Sequence, residues 1–546
     1  MANVFSIDFL IFTAVFLIVY GLIPAKSPAR RYLLLAGSVA YIAFASLTAA
    51  LWALLFAAVN FLLGICIERT SRPKAAMGMA VAVNALAMVT FKLLNVGMLG
   101  LSYYLFSFMS YLIDVYRDPK KHPAEIDPLR FASFSFFFPK FTQGPITRYS
   151  ELASQLDKPR SSAASLQKGL QSFVLGFILK VLVSDKLGVF FREGEFYSLA
   201  RIGYESISTE LAWLGVVVTS LHIFIEWQAY MFMVLGLAEI LGFQLPQNFN
   251  YPYIARTVGD YYRRWHMTLT RWFKDYIYIP LGGSRKGLGR TIVNVLFVWL
   301  VTSLWHGNGL SPKYVLWGAI AGFAVALDPL WYSFLTKRLG KDWSVKILGH
   351  ILLIVLLPVS FYILRKPADG FNFILWGMGI GLLIVLERLW RTFVADRFRV
   401  GERLGKDTLT GRLWHFAVSV LAHVWVVIPM ILSWLVFTIT DFEELSVYFT
   451  RLFPAAGASA GADPNDFAEF WGLVRPYVII GALFCVPVLS WLKNLLKRFS
   501  FGEQVLRFMN SKLVAWLVSF VLAGLFWYAV YSLIQNGSDP MGYAAF

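Results

Sequence analysis

Long apolar runs separated by short charged loops dominate the chain. A first run covers residues 4–24, and a second, 32–67, is long enough for two membrane spans. Two more runs, 75–91 and 96–116, lead to a charged loop at residues 117–122. Because about 20 apolar residues let a helix cross the bilayer, the pattern predicts five spans before residue 122. Further spans are predicted near residues 167–190, 211–243, 291–306, 313–335, 346–364, 371–390, 412–440, 471–492 and 513–535.

The apolar pattern becomes irregular after residue 122. The aromatic segment 131–149 is interrupted by Pro139, Gly144 and Pro145, so it is too short and broken for a plain span. Non-helical backbone at membrane depth is tolerated only where protein or water covers it. We therefore expect a re-entrant or in-plane element there. The Gly/Ala/Pro/Asp-rich stretch 454–466 predicts a loop and not a second domain.

Basic loops alternate with uncharged turns in the first part of the chain. The loops at 26–31, 68–74 and 117–122 are rich in Lys and Arg, whereas the turns near 46–48 and 95–97 carry no charge. Positively charged loops stay in the cytoplasm. The alternation therefore predicts cytoplasmic basic loops, an N-terminus outside, and a first run that is retained as a span because it lacks the basic start and cleavage site of a signal peptide.

Composition supports a multi-pass membrane protein. Of the 546 residues, 58% are hydrophobic and 15% are charged, against about 25% charged in a soluble domain. The net charge of +17 would suit a nucleic-acid partner, but the basic residues lie between apolar segments, which favours the membrane reading and no nucleic acid. Cys66 and Cys485 lie in apolar runs, so neither a disulfide framework nor a metal site is expected.

The most informative polar block covers residues 245–287. Asp260 is expected to cap a helix over 261–278 with two faces. The basic face is expected to carry Arg264, Thr268, Arg271 and Asp275, and the apolar face Tyr262, His266, Leu269 and Phe273. Arg271 and Asp275 have the spacing of an ion pair. Spacing alone favours a membrane-surface helix with snorkelling arginines and a structural His266.

The segment GGSRKG (282–287) follows this helix and combines two glycines with Arg285 and Lys286. Glycine allows backbone to approach a ligand closely, and N–H groups in such turns can hold anions. The spacing of a P-loop is absent. The segment is therefore either an anion-binding turn or a plain turn.

His306, in SLWHGNG (303–309), ends an apolar run. An ionisable side chain inside a membrane is costly and points to function, although a buried histidine that caps a helix would give the same pattern. His222 and Glu226 lie four residues apart on one helix face and could hydrogen-bond, either in a pore or as a structural contact. His350, His415 and His423 occur in no motif, and we expect them to be structural.

Several stretches together resemble the membrane-bound O-acyltransferase (MBOAT) family, and more closely its bacterial alginate O-acetylation branch. They follow the family's order over about residues 100–318, and the C-terminal DPMGYAAF also resembles that branch. The stretches are 102–117, 136–152, 236–253, 261–287 and 303–307. The resemblance implies an all-α fold: a ring of tilted transmembrane helices, with re-entrant or in-plane helices, around a central tunnel.

The resemblance also implies residue roles. His306 stands at the position of the family's intramembrane catalytic histidine, and His266 matches a second family histidine. The chain departs from the branch at Glu226, Gln228 and Phe232 within 224–238, at Ala321, where a second His-Gly is usual, and at LVFTIT (435–440), where the branch usually has a basic residue. These departures concern other pore-facing positions, so acyl transfer is implied more strongly than any particular acceptor.

The expected function is transfer of an acetyl group from cytoplasmic acetyl-CoA across the membrane for O-acetylation of an exported polysaccharide or cell-envelope glycan. His306 would be the general base, since imidazole titrates near neutrality. No tightly bound cofactor and no metal are expected. The residues expected to attract the donor phosphates are Arg263, Arg264, Arg271, Lys274, Arg285 and Lys286.

We expect one integral-membrane domain over residues 1–546, with N-terminal helices (1–122), a catalytic core (123–335) and C-terminal helices (336–546). Its predicted place is the bacterial inner membrane, among lipids, beside a periplasmic acyltransferase or a polysaccharide synthase complex. One alternative keeps the fold but takes acyl or D-alanyl groups from a carrier protein to teichoic acid. Another is a transporter, which would call for paired intramembrane charges and inverted repeats; neither is clear in the sequence.

Overall fold

A computed structural model describes most of the chain. The residues it describes are 4–24, 27–94, 99–159, 162–190, 202–285, 287–306, 379, 382–383, 386, 408–439, 441–454 and 463–537. The predicted spans 313–335 and 346–364 lie outside these residues, as does nearly all of 371–390.

Every regular element in the described residues is helical. The α-helices are α1 (Ile7–Leu22), α2 (Ala29–Ala45), α3 (Leu47–Arg69), α4 (Pro73–Leu93), α5 (Leu101–Arg117), α6 (Pro128–Ser135), α7 (Phe138–Phe141), α8 (Tyr149–Leu156), α9 (Ala163–Ile178), α10 (Asp185–Leu187), α11 (Thr209–Leu241), α12 (Val258–Arg264), α13 (Met267–Phe273), α14 (Gly287–His306), α15 (Leu409–Thr438), α16 (Phe442–Leu452), α17 (Asp466–Phe484), α18 (Val488–Leu496), α19 (Gly502–Met509) and α20 (Lys512–Asn536). Two π-helical segments, Leu179–Ser184 and Lys274–Tyr278, and two 3₁₀ turns, Gly188–Phe190 and Pro252–Ile254, complete the set.

Five helices in the described part of the chain are long and apolar enough to cross a membrane: α3, α4, α11, α17 and α20. The bounds of α4, α11 and α20 agree with the predicted spans to within a few residues. The expectation of an all-α, multi-pass membrane protein is therefore confirmed. The run predicted as one span near 471–492 is instead divided into α17 and α18 on either side of Pro487, a residue that lacks the N–H needed to continue a helix.

The 32–67 run forms two helices, as its length predicts. Ser46 separates them: its extended backbone ends α2, and its hydroxyl accepts a hydrogen bond from the Ala49 N–H at 3.2 Å and so caps α3. Helices α3 and α4 are then joined by buried Asn60 and Asn84, whose side-chain amides bond each other in both directions at 3.0 and 2.8 Å. Buried polar side chains thus fix the register of two apolar helices.

Helix α11 is the centre of the packing, and α9 lies directly against it. The two backbones approach closely because glycines face the contact. A Cβ on Gly176 would lie 2.4 Å from the Ala229 carbonyl oxygen, and one on Gly169 would lie 2.7 Å from that of Gly236. Small residues allow such approach between membrane helices. The 33-residue α11 therefore provides a fixed wall for the elements that follow.

The 131–149 segment forms no span, in agreement with its interrupted pattern. It contains the end of α6 and the single-turn α7, both buried. Its loop is attached to α11 by Tyr230, whose hydroxyl lies 2.8 Å from Thr142 Oγ1 and accepts a hydrogen bond from the Gln143 N–H at 3.1 Å. The broken segment is therefore held against the central helix.

Contacts bring the three basic loops to one end of the molecule. Arg31 pairs with Asp127 at 2.6 Å. Glu68, at the end of α3, accepts a hydrogen bond from the Ala124 N–H at 3.3 Å. Tyr20, at the end of α1, donates to the carbonyl of Leu241, the last residue of α11, at 3.2 Å. The C-terminal end of α11 therefore lies at the same end of the molecule as these loops.

Candidate functional site

The predicted 261–278 helix is broken at His266, and the prediction of a continuous helix was wrong. Helix α12 ends at Arg264, and α13 begins at Met267. Trp265 is extended, and His266 has a left-handed backbone with φ 44°. The predicted cap was also wrong, because the side chain that caps α12 is Thr257 and not Asp260.

The break is held by a segment that lies earlier in the chain. The N–H of Asn250 donates to the Arg264 carbonyl at 3.0 Å, and the N–H of Met267 donates to the Asn248 carbonyl at 2.9 Å. The hydroxyl of Thr268 donates to Asn248 Oδ1 at 2.6 Å. These long-range bonds satisfy the backbone groups that the broken helix leaves free and fix His266 in a conformation that costs about 1–2 kcal/mol for a non-glycine residue.

His266 is buried, and its ring nitrogens have no hydrogen-bond partner among the described residues. Its side chain is 3% exposed. The ring lies edge-on to Trp227 of α11, with centroids 4.4 Å apart, and stacks more loosely on Tyr103 at 6.4 Å. Burial lowers the pKa of the His266 imidazole to about 3. The ring is therefore neutral near pH 7, with one nitrogen able to donate and the other able to accept.

A cavity of about 190 Å³ opens beside His266, between the α12–α13 break and α14. Its walls are mostly aromatic and aliphatic, and a few polar side chains reach it. The lining residues that carry the argument are Tyr262, His266, Thr270, Lys274, Trp299 and Thr302. Lys274 is exposed, whereas Tyr262 and His266 are buried, so the cavity extends from an accessible rim to a dry interior.

Helix α14 brings the second predicted catalytic histidine to this region. The helix ends at His306, and Thr302, one turn earlier, lines the cavity. The neighbouring Trp305 lies against Tyr103, with centroids 6.4 Å apart, and Tyr103 also contacts His266. The backbone of the SLWH segment therefore ends close to His266. The His306 side chain lies outside the described residues.

The predicted donor-binding residues do not share one environment. Arg263 and Arg264 pair with Asp260 at 3.3 and 2.9 Å. Arg271 pairs with Glu151 at 2.8 Å and not with Asp275, because Asp275 pairs with Arg148. Lys274 lines the cavity, Arg285 is exposed beyond it, and Lys286 lies outside the described residues.

The glycine-rich segment forms the tight turn that its sequence predicts. Gly282 and Gly283 have φ values of 104° and 56°, a range that glycine adopts at no steric cost. Buried Asn294 of α14 donates to the Gly283 carbonyl at 3.0 Å. The turn is thereby attached to the helix that carries His306.

His222 and Glu226 have separate partners. His222 Nδ1 lies 2.9 Å from the Ser184 carbonyl oxygen, and Glu226 pairs with Lys180 at 3.0 Å. Lys180 also pairs with Asp185 and is fully buried. The sequence reading missed this cluster, although a lysine within the apolar run 167–190 was a visible signal. The side chain of His423 is bonded to backbone carbonyls of Ser419 and Ile254, as suits a structural residue; His350 and the side chain of His415 lie outside the described residues.

Comparisons with known proteins agree on one family. A sequence profile described as MBOAT, membrane-bound O-acyltransferase family, matches residues 39–352, which is more than half of the chain. The chain is 32% identical over 306 residues to a probable alginate O-acetylase, AlgI, of Pseudomonas fluorescens, covering 56% of this chain and 53% of that protein.

More distant relatives carry other names. A peptidoglycan O-acetyltransferase of Helicobacter pylori is 30% identical over 268 residues, which is 44% of this chain and 49% of that protein. A teichoic acid D-alanyltransferase of Bacillus subtilis is 24% identical over 233 residues, or 41% of this chain and 56% of that protein. The chain thus spans about half the length of the curated relatives it matches.

Proposed function

The chain belongs to the membrane-bound O-acyltransferase family, and on that premise we propose that it is a membrane O-acyltransferase that modifies a glycan. The observation that carries the proposal is the buried His266, which is held in a strained conformation, has no partner for its ring among the described residues, and faces a largely apolar cavity beside the helix that ends at His306. Strained, unsatisfied polar residues of this kind cluster at active sites.

The proposed reaction moves an acetyl group from a thioester donor to a hydroxyl. His306 acts as the general base that removes the hydroxyl proton, which is worth about 10²–10⁴-fold in rate. Neutral His266 assists by hydrogen-bonding to the reacting groups. The aromatic walls, which include Trp299 and Trp265, exclude water and so limit hydrolysis of the donor.

Acetyl-CoA is the proposed donor, entering from the cytoplasm. Lys274 is well placed to meet it, because the lysine lies at the exposed rim of the cavity. Arg285 and Lys286 follow in the glycine turn. Arg263, Arg264 and Arg271 are paired with carboxylates, but exposed ion pairs are worth little and can exchange partners with a phosphate.

The proposed acceptor pathway leads to an exported polysaccharide or cell-envelope glycan. The names of the relatives, alginate O-acetylase and peptidoglycan O-acetyltransferase, support this class of acceptor. The proposed location is the bacterial inner membrane, where the acetyl group would pass to a periplasmic acyltransferase or a synthase complex. The teichoic acid D-alanyltransferase relatives support a second candidate, in which a carrier protein supplies the acyl group.

The deciding experiment uses the purified protein in lipid nanodiscs with radiolabelled acetyl-CoA, or with an acyl carrier protein bearing the same labelled thioester. Release of free thiol is measured, together with label transfer to glycan acceptors in the presence of the partner acyltransferase or synthase complex. The His306→Ala variant should lose at least about 10²-fold in transfer rate, whereas His122→Ala, in the basic loop at 117–122, should keep it. Transfer from the carrier alone would replace acetyl-CoA as donor, and full activity of His306→Ala would refute the proposed base.

A further inference from the structure

Tyr262 is a second cavity-lining residue with a buried, unpartnered polar group in the described part of the chain. Its hydroxyl has no hydrogen-bond partner among the described residues, and the residue is 8% exposed. His266 is in the same state and lines the same cavity. A buried polar group left unpaired costs about 1–3 kcal/mol. Two such groups at one apolar cavity indicate that a polar ligand atom satisfies them.

The ring of Tyr262 is held firmly. It meets Trp299 of α14 edge-on, with centroids 4.5 Å apart, and packs edge-on against Tyr261 at 5.2 Å. Its backbone carbonyl accepts a hydrogen bond from the Thr270 hydroxyl at 2.9 Å, which joins it to the helix that follows His266. Since a tyrosine side chain has only two rotatable angles, these contacts fix the hydroxyl before any ligand binds.

The two threonines that line the cavity already use their hydroxyl protons. Thr270 donates to the Tyr262 carbonyl, and Thr302 donates to the Val298 carbonyl at 2.8 Å. Lys274 lies at the exposed rim. Among the described cavity-lining residues, Tyr262 and His266 therefore carry the buried side-chain polar atoms that have no hydrogen-bond partner.

We propose that the Tyr262 hydroxyl is a catalytic residue that donates a hydrogen bond to the carbonyl oxygen of the acyl thioester. This assignment rests on the proposed acyltransferase function. A short acyl thioester has one polar atom at its reacting end, the carbonyl oxygen, and a phenol is protonated and able to donate at neutral pH. The other unpartnered group, the His266 imidazole, hydrogen-bonds to the reacting groups, while His306 takes the proton of the acceptor hydroxyl.

The proton and electron changes then balance. The acceptor oxygen bonds to the carbonyl carbon as His306 takes the acceptor proton. The carbonyl π pair moves onto the carbonyl oxygen, which becomes an oxyanion that accepts a hydrogen bond from the Tyr262 hydroxyl. Collapse restores the carbonyl and breaks the C–S bond. The thiolate leaves with that pair of electrons and takes the proton from the imidazolium. A fixed donor contributes most where negative charge develops, and removing one typically lowers kcat by about 10²–10³-fold.

Tyr262→Phe removes the hydroxyl and keeps the ring that packs on Trp299. Binding of two matched ligands is measured by calorimetry in nanodiscs: S-(2-oxopropyl)-CoA, which has a carbonyl, and S-propyl-CoA, which lacks it. The wild-type protein should prefer the carbonyl ligand by about tenfold, the worth of one hydrogen bond. Tyr262→Phe should bring that ratio near one while its affinity for S-propyl-CoA stays unchanged, which shows that the cavity is intact.

Tyr104→Phe is the matched control, because the Tyr104 hydroxyl is likewise buried and unpartnered among the described residues, but does not line this cavity. It should keep the full preference. A Tyr262→Phe variant that keeps the carbonyl preference and the wild-type kcat overturns the role of Tyr262 and leaves the acyltransferase proposal standing. A wild-type protein that binds neither ligand overturns the thioester donor and, with it, this assignment.

Discussion

His266 adopts a backbone conformation, φ 44°, that residues with a β-carbon rarely take. Glycine or asparagine would occupy it at lower cost. Its imidazole is also buried without a hydrogen-bond partner among the described residues, so neither the backbone nor the packing accounts for a histidine at this position. A chemical role for the ring does account for it, since strain and desolvation both keep a neutral imidazole fixed at the cavity.

Replacing His266 with asparagine separates the contribution of the imidazole ring from that of the left-handed backbone conformation. Asparagine tolerates the left-handed conformation, so we expect the His266→Asn variant to unfold at a temperature close to that of the wild-type protein. Its transfer rate should fall by about 10²-fold or more, because the hydrogen bond from the imidazole to the reacting groups is lost. Thermal unfolding in detergent and acetyl transfer in nanodiscs measure the two effects.

Tyr251→Asn supplies the control for this substitution. Tyr251 is the other described non-glycine residue with a positive φ, 48°, but it is 39% exposed and does not line the cavity. Its asparagine variant should keep both stability and transfer. If His266→Asn also keeps the wild-type rate, His266 serves the turn and not the reaction.

Sequence periodicity predicted which side chains share the face that lines the cavity, but not the break in the helix backbone. Tyr262, His266, Leu269 and Phe273 were expected on one apolar face, and all four line the cavity. The break at His266 could not be predicted from the local pattern, because the bonds that hold it come from Asn248 and Asn250. The lack of a partner for the Tyr262 hydroxyl among the described residues likewise depends on neighbours from other helices.

At the scale of elements, an ion pair is buried in an apolar interface. The interface is formed by α11 on one side and by α9 and its π-helical continuation on the other. The spans at 167–190 and 211–243 were predicted from hydropathy, which is an average over the window and does not single out Lys180. Lys180 is fully buried and pairs with Glu226 across the two elements. A pairing of this kind depends on which helices become neighbours, and the sequence of one helix does not contain that information.

Removing Lys180 should destabilise the protein strongly. The Lys180→Met variant keeps the length of the side chain but leaves Glu226 without its cation in a dry interface, an effect of about 3–5 kcal/mol. We expect a clearly lower unfolding temperature in detergent. Lys168→Met is the matched control, because Lys168 joins the same two helices through Glu239 at 3.7 Å and its side chain is 75% exposed. Its effect should stay within about 1 kcal/mol. Equal unfolding temperatures for the two variants would contradict a stabilising buried pair.

For the whole molecule, charge and contacts define two ends. The three basic loops lie at one end, where they are joined by contacts of Glu68 and by the Arg31–Asp127 pair. Helix α11 also ends there. At the opposite end of α11, Ser208 donates through its N–H to Asp466 at 2.8 Å, which places the start of α17 beside the start of α11. The sequence predicted the spans from hydropathy and the alternation of loops from their basic residues. The tunnel and the division at residues 123 and 336 stay predictions, since much of 307–407 lies outside the described residues.

These contacts give a topology that the charges support independently. If α17 crosses the membrane from the start of α11, then residues 485–511 return on the side of the basic loops. That segment contains Lys493, Lys497, Arg498 and Arg507 against the single acid Glu503, whereas the segment 463–469 at the other end contains Asp463, Asp466 and Glu469 and no basic residue. The positive-inside rule therefore predicts that 485–511 is cytoplasmic and that Asp463 lies outside.

Cysteine labelling in intact cells tests this topology. In a background with Cys66 and Cys485 changed to serine, a membrane-impermeant maleimide should label Asp463→Cys from outside, and should reach Arg498→Cys only after the inner membrane is permeabilised. Arg72→Cys, in the basic loop at 68–74, should behave like Arg498→Cys, because both are assigned to the cytoplasm. Labelling of Arg498→Cys in intact cells would place residue 498 outside. The basic loops and the cavity rim at Lys274 would then also lie outside, and not in the cytoplasm as proposed. The route of the acetyl group from cytoplasm to glycan would then have to be abandoned, whatever the role of His306.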